Sequence, residues 1–296
     1  MAEACKNCGQ GMAGEFCPAC GQKRVRDEDR RLGHLLRQAF AVVSDLDGRF
    51  LRSLGALAFQ PGRLSRDYLD GRRQRWMSPF ALFLLANVLY FVLPYGVTDF
   101  NLPLRDQAGG QPHSVLTADW VGERIVRRNE AAREAWSRQA ATTRPAEAPA
   151  YSFDDYAEAY DARAGDVGRA LIVVHVPLLA LALWALFGRT RRYFAEHVVV
   201  ATHLFTFLLL FVQCVLLPTG YLAARFGLLG AEGMPLAVKL ATAAVIGLYV
   251  AVAMRRAYDA PWWLAILLPV PLLWALMLGS LYVYRSLQFM LTFAIT

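Results

Sequence analysis

Five stretches of the chain keep apolar residues on every side, with none of the two-residue alternation that marks a half-buried strand. They fall at about 76–95, 167–187, 197–217, 235–254 and 261–284. Each approaches or exceeds the 20 or so residues that a helix, rising about 1.5 Å per residue, needs to cross roughly 30 Å of hydrocarbon. Lipid offers the backbone no hydrogen-bond partners, so helices are predicted and strands are not. Between the first two stretches lies a polar loop, 96–168, with two polar helices predicted near 118–140 and 153–163. Ahead of the first stretch, Leu32, Leu35, Leu36, Phe40 and Val43, and then Leu46, Phe50, Leu54 and Leu57, recur at helical spacing against a polar face. Both runs are too short and too charged to span, which predicts amphipathic helices along the membrane interface or beneath the bundle, the second ended by Pro61-Gly62.

Composition agrees with the pattern. With 56% hydrophobic residues, a water-soluble globule, a disordered chain and a collagen are all excluded. The net charge of +7 is concentrated: residues 21–78 hold thirteen Lys or Arg against seven Asp or Glu. Because cations resist translocation, Arg63, Arg66, Arg72, Arg73 and Arg75 before the first span, Arg189, Arg191 and Arg192 after the second, and Arg255 and Arg256 after the fourth are expected on one side. That places the N-terminus in the cytosol and the C-terminus outside. The opening residues lack the apolar core of a secretory signal, in keeping with that orientation. Arg outnumbers Lys 28 to 3, the usage of a GC-rich bacterial genome, so the membrane expected is a bacterial inner membrane. The five arginines before the first span either fix orientation or recognise anionic headgroups, each cation gaining about 1 kcal/mol near such lipid.

The strongest chemical signal is at the N-terminus. Cys5-Lys6-Asn7-Cys8-Gly9 is followed by Cys17-Pro18-Ala19-Cys20-Gly21, two CxxCG turns in one short segment. Two residues between thiolates let a tight turn aim both sulfurs at one ion, and the glycine tolerates the positive φ beneath it. Four thiolates from Cys5, Cys8, Cys17 and Cys20 complete a tetrahedron around a single zinc and leave no open position, so the site is structural. A cytosolic location disfavours disulfides. A ribbon this small draws its folding free energy from the metal and offers only a surface, which is expected to dock a protein partner. Nucleic acid is the less favoured partner for a head tied to a membrane, and self-association is a further alternative. The fifth cysteine, Cys214, is expected to be an inert thiol buried within the third span.

On Cys5, Cys8, Phe16, Cys17, Cys20, Gly21 and Gln22, then Phe50-Leu51, Pro61-Gly62, Tyr68, Gly71, Arg73 and Pro79, with Glu196, His197 and His203 further on, the sequence resembles a bacterial family, domain of unknown function 3667. The stretch from Pro61 to Pro79 is the specific part. The resemblance implies a membrane protein with an N-terminal zinc ribbon and no assigned activity.

Within the spans, ionisable and amide side chains are costly and therefore informative. Asn87 lies in the first span and His175 in the second. Glu196, His197, His203 and Gln213 lie in the third, with Glu196 and His203 two turns apart on one face. Three readings stand open for them: hydrogen bonds that fix packing, a path for protons or a small solute, and a second metal site from Glu196, His203 and His175. No HExxH, Walker loop or GxSxG occurs, and nothing orders a nucleophile, base and orienter, so no enzyme class is assigned. The sequence thus predicts an all-α membrane protein in three parts: a mini zinc ribbon (1–24), basic amphipathic helices (25–75) and a five-helix transmembrane bundle (76–296). The expected role is that of a scaffold, sensor or regulatory interaction protein, with a small-solute or proton transporter as the alternative.

Overall fold

The computed structural model describes residues 3–4, 10–12, 14–16, 18–19, 48–70, 72, 76–92, 102–107, 109, 111, 113–138, 150–188, 193–228 and 234–296. The chain divides into two compact units, Met1–Arg52 and Ser53–Thr296. In the first, strands β1 (Glu3–Ala4) and β2 (Gly11–Met12) pair antiparallel, with Glu3 opposite Met12 and Ala4 opposite Gly11. Cys5, Cys8, Cys17 and Cys20, and the amphipathic run from Leu32 to Leu46, lie outside the described residues.

The second unit is helical. Helix α1 covers 48–59, its first residues belonging to the first unit, and is followed by α2 (Arg63–Leu69) and α3 (Pro79–Val92). Among the described residues, four helices are long and apolar enough to cross a membrane: Phe153–Phe187, Phe194–Arg225, Leu236–Tyr258 and Trp262–Ile295. They account for the last four expected spans. The first expected span corresponds to α3, which is apolar but covers 14 residues, about 21 Å of helix.

The long helices carry internal breaks that their sequences explain. Phe153–Phe187 is α6 (Phe153–Leu171), a tight turn at Ile172–Val174 ahead of Pro177, and α7 (His175–Phe187). The second polar helix expected in the loop is therefore continuous with the span that follows it. Ser152 starts α6 with a capping box, its hydroxyl accepting from the Asp155 amide while the Asp155 carboxylate accepts from the Ser152 amide at 2.7 Å. Phe194–Arg225 comprises α8 (Phe194–Phe211), a wide π-type turn at Val212–Leu216 and α9 (Leu217–Arg225). Next comes α10 (Leu236–Tyr258). Trp262–Ile295 breaks at Pro269 and Pro271, which remove backbone donors, into α11 (Trp262–Leu267) and α12 (Pro269–Leu278), then passes through a second π-type turn (Gly279–Tyr284) into α13 (Arg285–Ile295). Helices α4 (Leu104–Gln107) and α5 (Ser114–Arg138) belong to the loop.

At 34 residues, about 51 Å, Trp262–Ile295 is longer than a bilayer core is thick, and its last turns are used outside the apolar bundle. There Phe289 and Phe293 of α13 meet Tyr156 and Tyr160 of α6 and Trp120 of α5. The loop aromatics pack on one another and on the chain's last helix. Tyr284 is fully buried, its ring tilted against His175 at 4.6 Å and its hydroxyl donating to the Gly168 carbonyl at 3.2 Å. Trp262 and Trp263 are exposed at the start of α11, as a belt requires. Cys214 is exposed rather than buried, because the π-type turn presents it on the outer surface while Gln213 beside it faces in. Ala243, Gly247 and Ala251 share a face of α10, yet a methyl group at Gly247 would meet nothing within 4 Å, so among the described residues no helix uses that notch for close approach.

Candidate functional site

The three intramembrane histidines are buried but do not gather into one site. His175 Nδ1 lies 3.0 Å from the Ile172 carbonyl and Nε2 3.3 Å from Ser280 Oγ, with the ring stacked on Phe205. His197 Nδ1 lies 2.8 Å from the Tyr258 hydroxyl at the end of α10, and Tyr258 stacks in turn on Phe187. His203 Nδ1 lies 3.0 Å from Ser65 Oγ on α2, and Tyr68 approaches the ring edge-on. Thus α8 packs against α3 and α7, and through His203 and His197 it also meets α2 and α10. Glu196, expected at the mouth of the third span, is committed to its own helix, its Oε2 accepting from the Tyr193 amide at 3.1 Å. Gln213 is buried in the π-type turn, and Asn87 Oδ1 is buried on α3 without a hydrogen-bond partner among the described residues. Among the described residues, no group of three or more His, Cys, Asp or Glu could hold a metal ion.

The segment before α3 makes the more informative site, because it docks into the bundle instead of lying flat. Tyr249 of α10 donates its hydroxyl to the Leu57 carbonyl at 2.7 Å, three turns back from the helix end at Tyr258. Gly62 takes φ +76° where α1 turns into α2, and a Cβ there would stand 2.7 Å from the Ala253 carbonyl oxygen. Ser65 reaches His203, and the Met77 amide donates to Ser53 Oγ at 3.0 Å, closing the segment on itself. Leu57, Leu64, Ser65 and Trp76 are all buried. Two short amphipathic helices joined at Pro61-Gly62 thus form a hairpin whose apolar face is covered by α8 and α10. For the second amphipathic run, which builds α1, packing against the bundle is the placement observed.

Ser65→Ala should strip the partner from the buried His203 Nδ1 and cost about 1 kcal/mol. A Ser65→Ala/His203→Leu pair should recover part of that loss, since both polar groups then disappear together. Thermal unfolding in detergent reads both, and equal losses for the single and the pair would contradict the hydrogen bond's role.

At the rim of the hairpin stands a charged knot. Asp67, 11% exposed at its side chain, accepts from Arg72 at 2.6 Å and from Trp76 Nε1 at 2.9 Å, with Arg63 at 3.9 Å. Burial acts to raise the Asp67 carboxyl, but the hydrogen bonds from Arg72 and Trp76 and the charges of Arg72 and Arg63 outweigh it, holding it below the ordinary Asp range. Arg66 bridges Asp70 at 3.1 Å and Asp259 at 2.5 Å, tying α2 to the residue that ends α10. Hydrogen bonding to Asp259 raises the Arg66 guanidinium further. Of the five arginines singled out from sequence, Arg63, Arg66 and Arg72 therefore belong to one network, while Arg73 and Arg75 lie outside the described residues.

Sequence reasoning missed the acids and the distant partners. Asp67, Trp76 and Asp259 complete the site together with Arg255 and Arg256, which the sequence marks only as an orientation signal. The available signal was Asp259 itself, an acid directly after a span whose end carries two arginines.

No curated protein and no solved structure matches the chain. Residues 47–91 match the family model described as Protein of unknown function (DUF3667), so the stretch that builds α1, α2, the charged knot and α3 is the part of the chain that carries the family likeness.

Proposed function

We propose that the chain is a scaffold, sensor or regulatory interaction protein of a bacterial inner membrane, with a zinc-loaded cytosolic head that docks a protein partner. One observation carries this reading over transport. The histidines that would line a path are spent on separate packing contacts, His175 with Ser280, His197 with Tyr258 and His203 with Ser65. The cavity beside His203 has a volume of about 10 Å³, room for one water and no solute. Cys5 and Cys8 fall in sequence between β1 and β2, the position of the first knuckle in a ribbon hairpin, which supports the head. Cys5, Cys8, Cys17 and Cys20 would hold a single structural zinc, and the arginine clusters on the flanks of the spans support a cytosolic N-terminus and an external C-terminus.

The test uses the full-length protein. Elemental analysis should find a single zinc per chain, lost in Cys17→Ser/Cys20→Ser, with the thermal midpoint of the bundle unchanged. Cross-linking in native membranes should capture a partner with the unaltered head and not with the variant. Metal-free protein, or a head reporter facing the periplasm, would sink the head assignment. In proteoliposomes, flux that disappears in a stably folded His203→Ala variant would favour the transporter reading instead.

A further inference from the structure

The end of α10 and the hairpin enclose an open groove of about 570 Å³ whose wall is mostly arginine. Four guanidinium groups, Arg63, Arg66, Arg255 and Arg256, face two carboxylates, Asp67 and Asp259. The carboxylates are already spent: Asp259 on Arg66, and Asp67 on Arg72 and Trp76. Three cations are left over. Arg63 has its nearest carboxylate oxygen at 3.9 Å and otherwise donates to Gln60 Oε1. Arg255 and Arg256 donate only to backbone carbonyls, of Ala260 at 3.3 Å and Pro61 at 3.1 Å, with no carboxylate within 4 Å among the described residues. A single bond to a carbonyl fixes the direction of a guanidinium and leaves most of its five N–H donors unspent. Trp262 under Arg255 at 4.4 Å and Trp76 under Arg63 at 5.8 Å hold the two planes further. Fixed forks with spare donors suit phosphate oxygens.

We propose that this groove binds the phosphate of an anionic phospholipid headgroup, with Arg63, Arg255 and Arg256 as the recognising side chains. A lipid phosphate is favoured over a soluble one by the level of the groove. It lies where the apolar α10 ends, beside Trp262 and Trp263, which are 52% and 64% exposed, as aromatic residues at a headgroup boundary are. This site stands whether or not the head carries zinc, and it differs from a linear basic run, because Arg66 and Arg72 are neutralised and Arg255 and Arg256 come from a distant part of the chain.

The test is lipid retention by the full-length protein in nanodiscs of phosphatidylcholine alone or mixed equally with phosphatidylglycerol, followed by detergent extraction and mass spectrometry. The protein should retain phosphatidylglycerol in preference to phosphatidylcholine. Arg255→Gln/Arg256→Gln should weaken that preference about thirtyfold and Arg63→Gln about fivefold, at roughly one cation's share each. Arg255→Lys/Arg256→Lys, which keeps both charges, should retain most of it, and Arg127→Gln on α5 should change nothing. Should the double Gln variant fail to fold, Arg63→Gln decides, since its side chain holds no helix end. Unchanged preference in a folded Arg255→Gln/Arg256→Gln or in Arg63→Gln, or equal loss in Arg127→Gln, overturns the site. Displacement of the lipid by inorganic phosphate at matched concentration overturns the lipid as the source.

Discussion

Gly62→Ala is expected to destabilise the bundle by about 3 kcal/mol or more, the largest effect expected of a methyl group added at any of the described glycines. Two penalties coincide at this position. The backbone sits at φ +76°, where an L side chain is strained, and the added Cβ would stand 2.7 Å from the carbonyl oxygen and 2.8 Å from the Cα of Ala253. Those are backbone atoms in the last two turns of α10, so neither can move aside without displacing the helix. The turn cannot relax toward negative φ either, because Pro61 precedes it and its carbonyl is held by Arg256 at 3.1 Å. Gly247→Ala on the same helix is the matched control. It adds the same methyl group where nothing lies within 4 Å, and should be neutral or stabilising by up to about 1 kcal/mol through helix propensity. Thermal unfolding of the two variants in one detergent gives the comparison; similar midpoints would contradict the close docking of the hairpin on α10.

The contrast between those glycines illustrates what the sequence could and could not disclose. Long apolar runs announce helices of membrane length because bilayer thickness sets their size, and the helices ending at Phe187, Arg225, Tyr258 and Ile295 follow from that rule. Their ends were less legible. Residues 153–168 are too polar to read as part of a span, yet the helix continues through them because α13 covers their aromatic face with Phe289 and Phe293. Likewise α1 is legible as amphipathic, but an apolar stripe does not name what will cover it, and α2 is hidden in a run that reads chiefly as basic. Pro61-Gly62 reads as a helix stop from either side, whereas its use as the pivot of a docked hairpin depends on Ala253, nearly two hundred residues away. The histidines were located correctly as buried polar groups. That they belong to three separate contacts could not be read from one helix, because their partners, Ser65, Tyr258 and Ser280, come from three other segments. Asp259 went unread because cations drew the attention at span ends, although an acid there must answer to one of them.

Asp67→Ala should cost about 2 to 3 kcal/mol at neutral pH, because it removes the acceptor of the buried Trp76 indole and the counter-ion of Arg72 in one step. Asp67→Asn separates the two. An amide oxygen can still accept from Trp76, so Asn should keep part of the stability and lose the part that depends on charge. The pH dependence has a definite sign. The Asp67 carboxyl in the folded chain lies below its ordinary value of 3.8, so in that window the unfolded chain holds the proton more tightly. Its contribution is therefore complete above about pH 4 and is lost as the pH falls through the folded value. Acid unfolding of the unaltered protein should steepen there, and Asp67→Asn should flatten the curve. Salt divides the contributions once more. Arg72 is 58% exposed at its side chain and its attraction should weaken as ionic strength rises, while the Trp76 bond, buried beneath it, should not. A salt-insensitive loss in Asp67→Asn would contradict a stabilising role for the Arg72 charge.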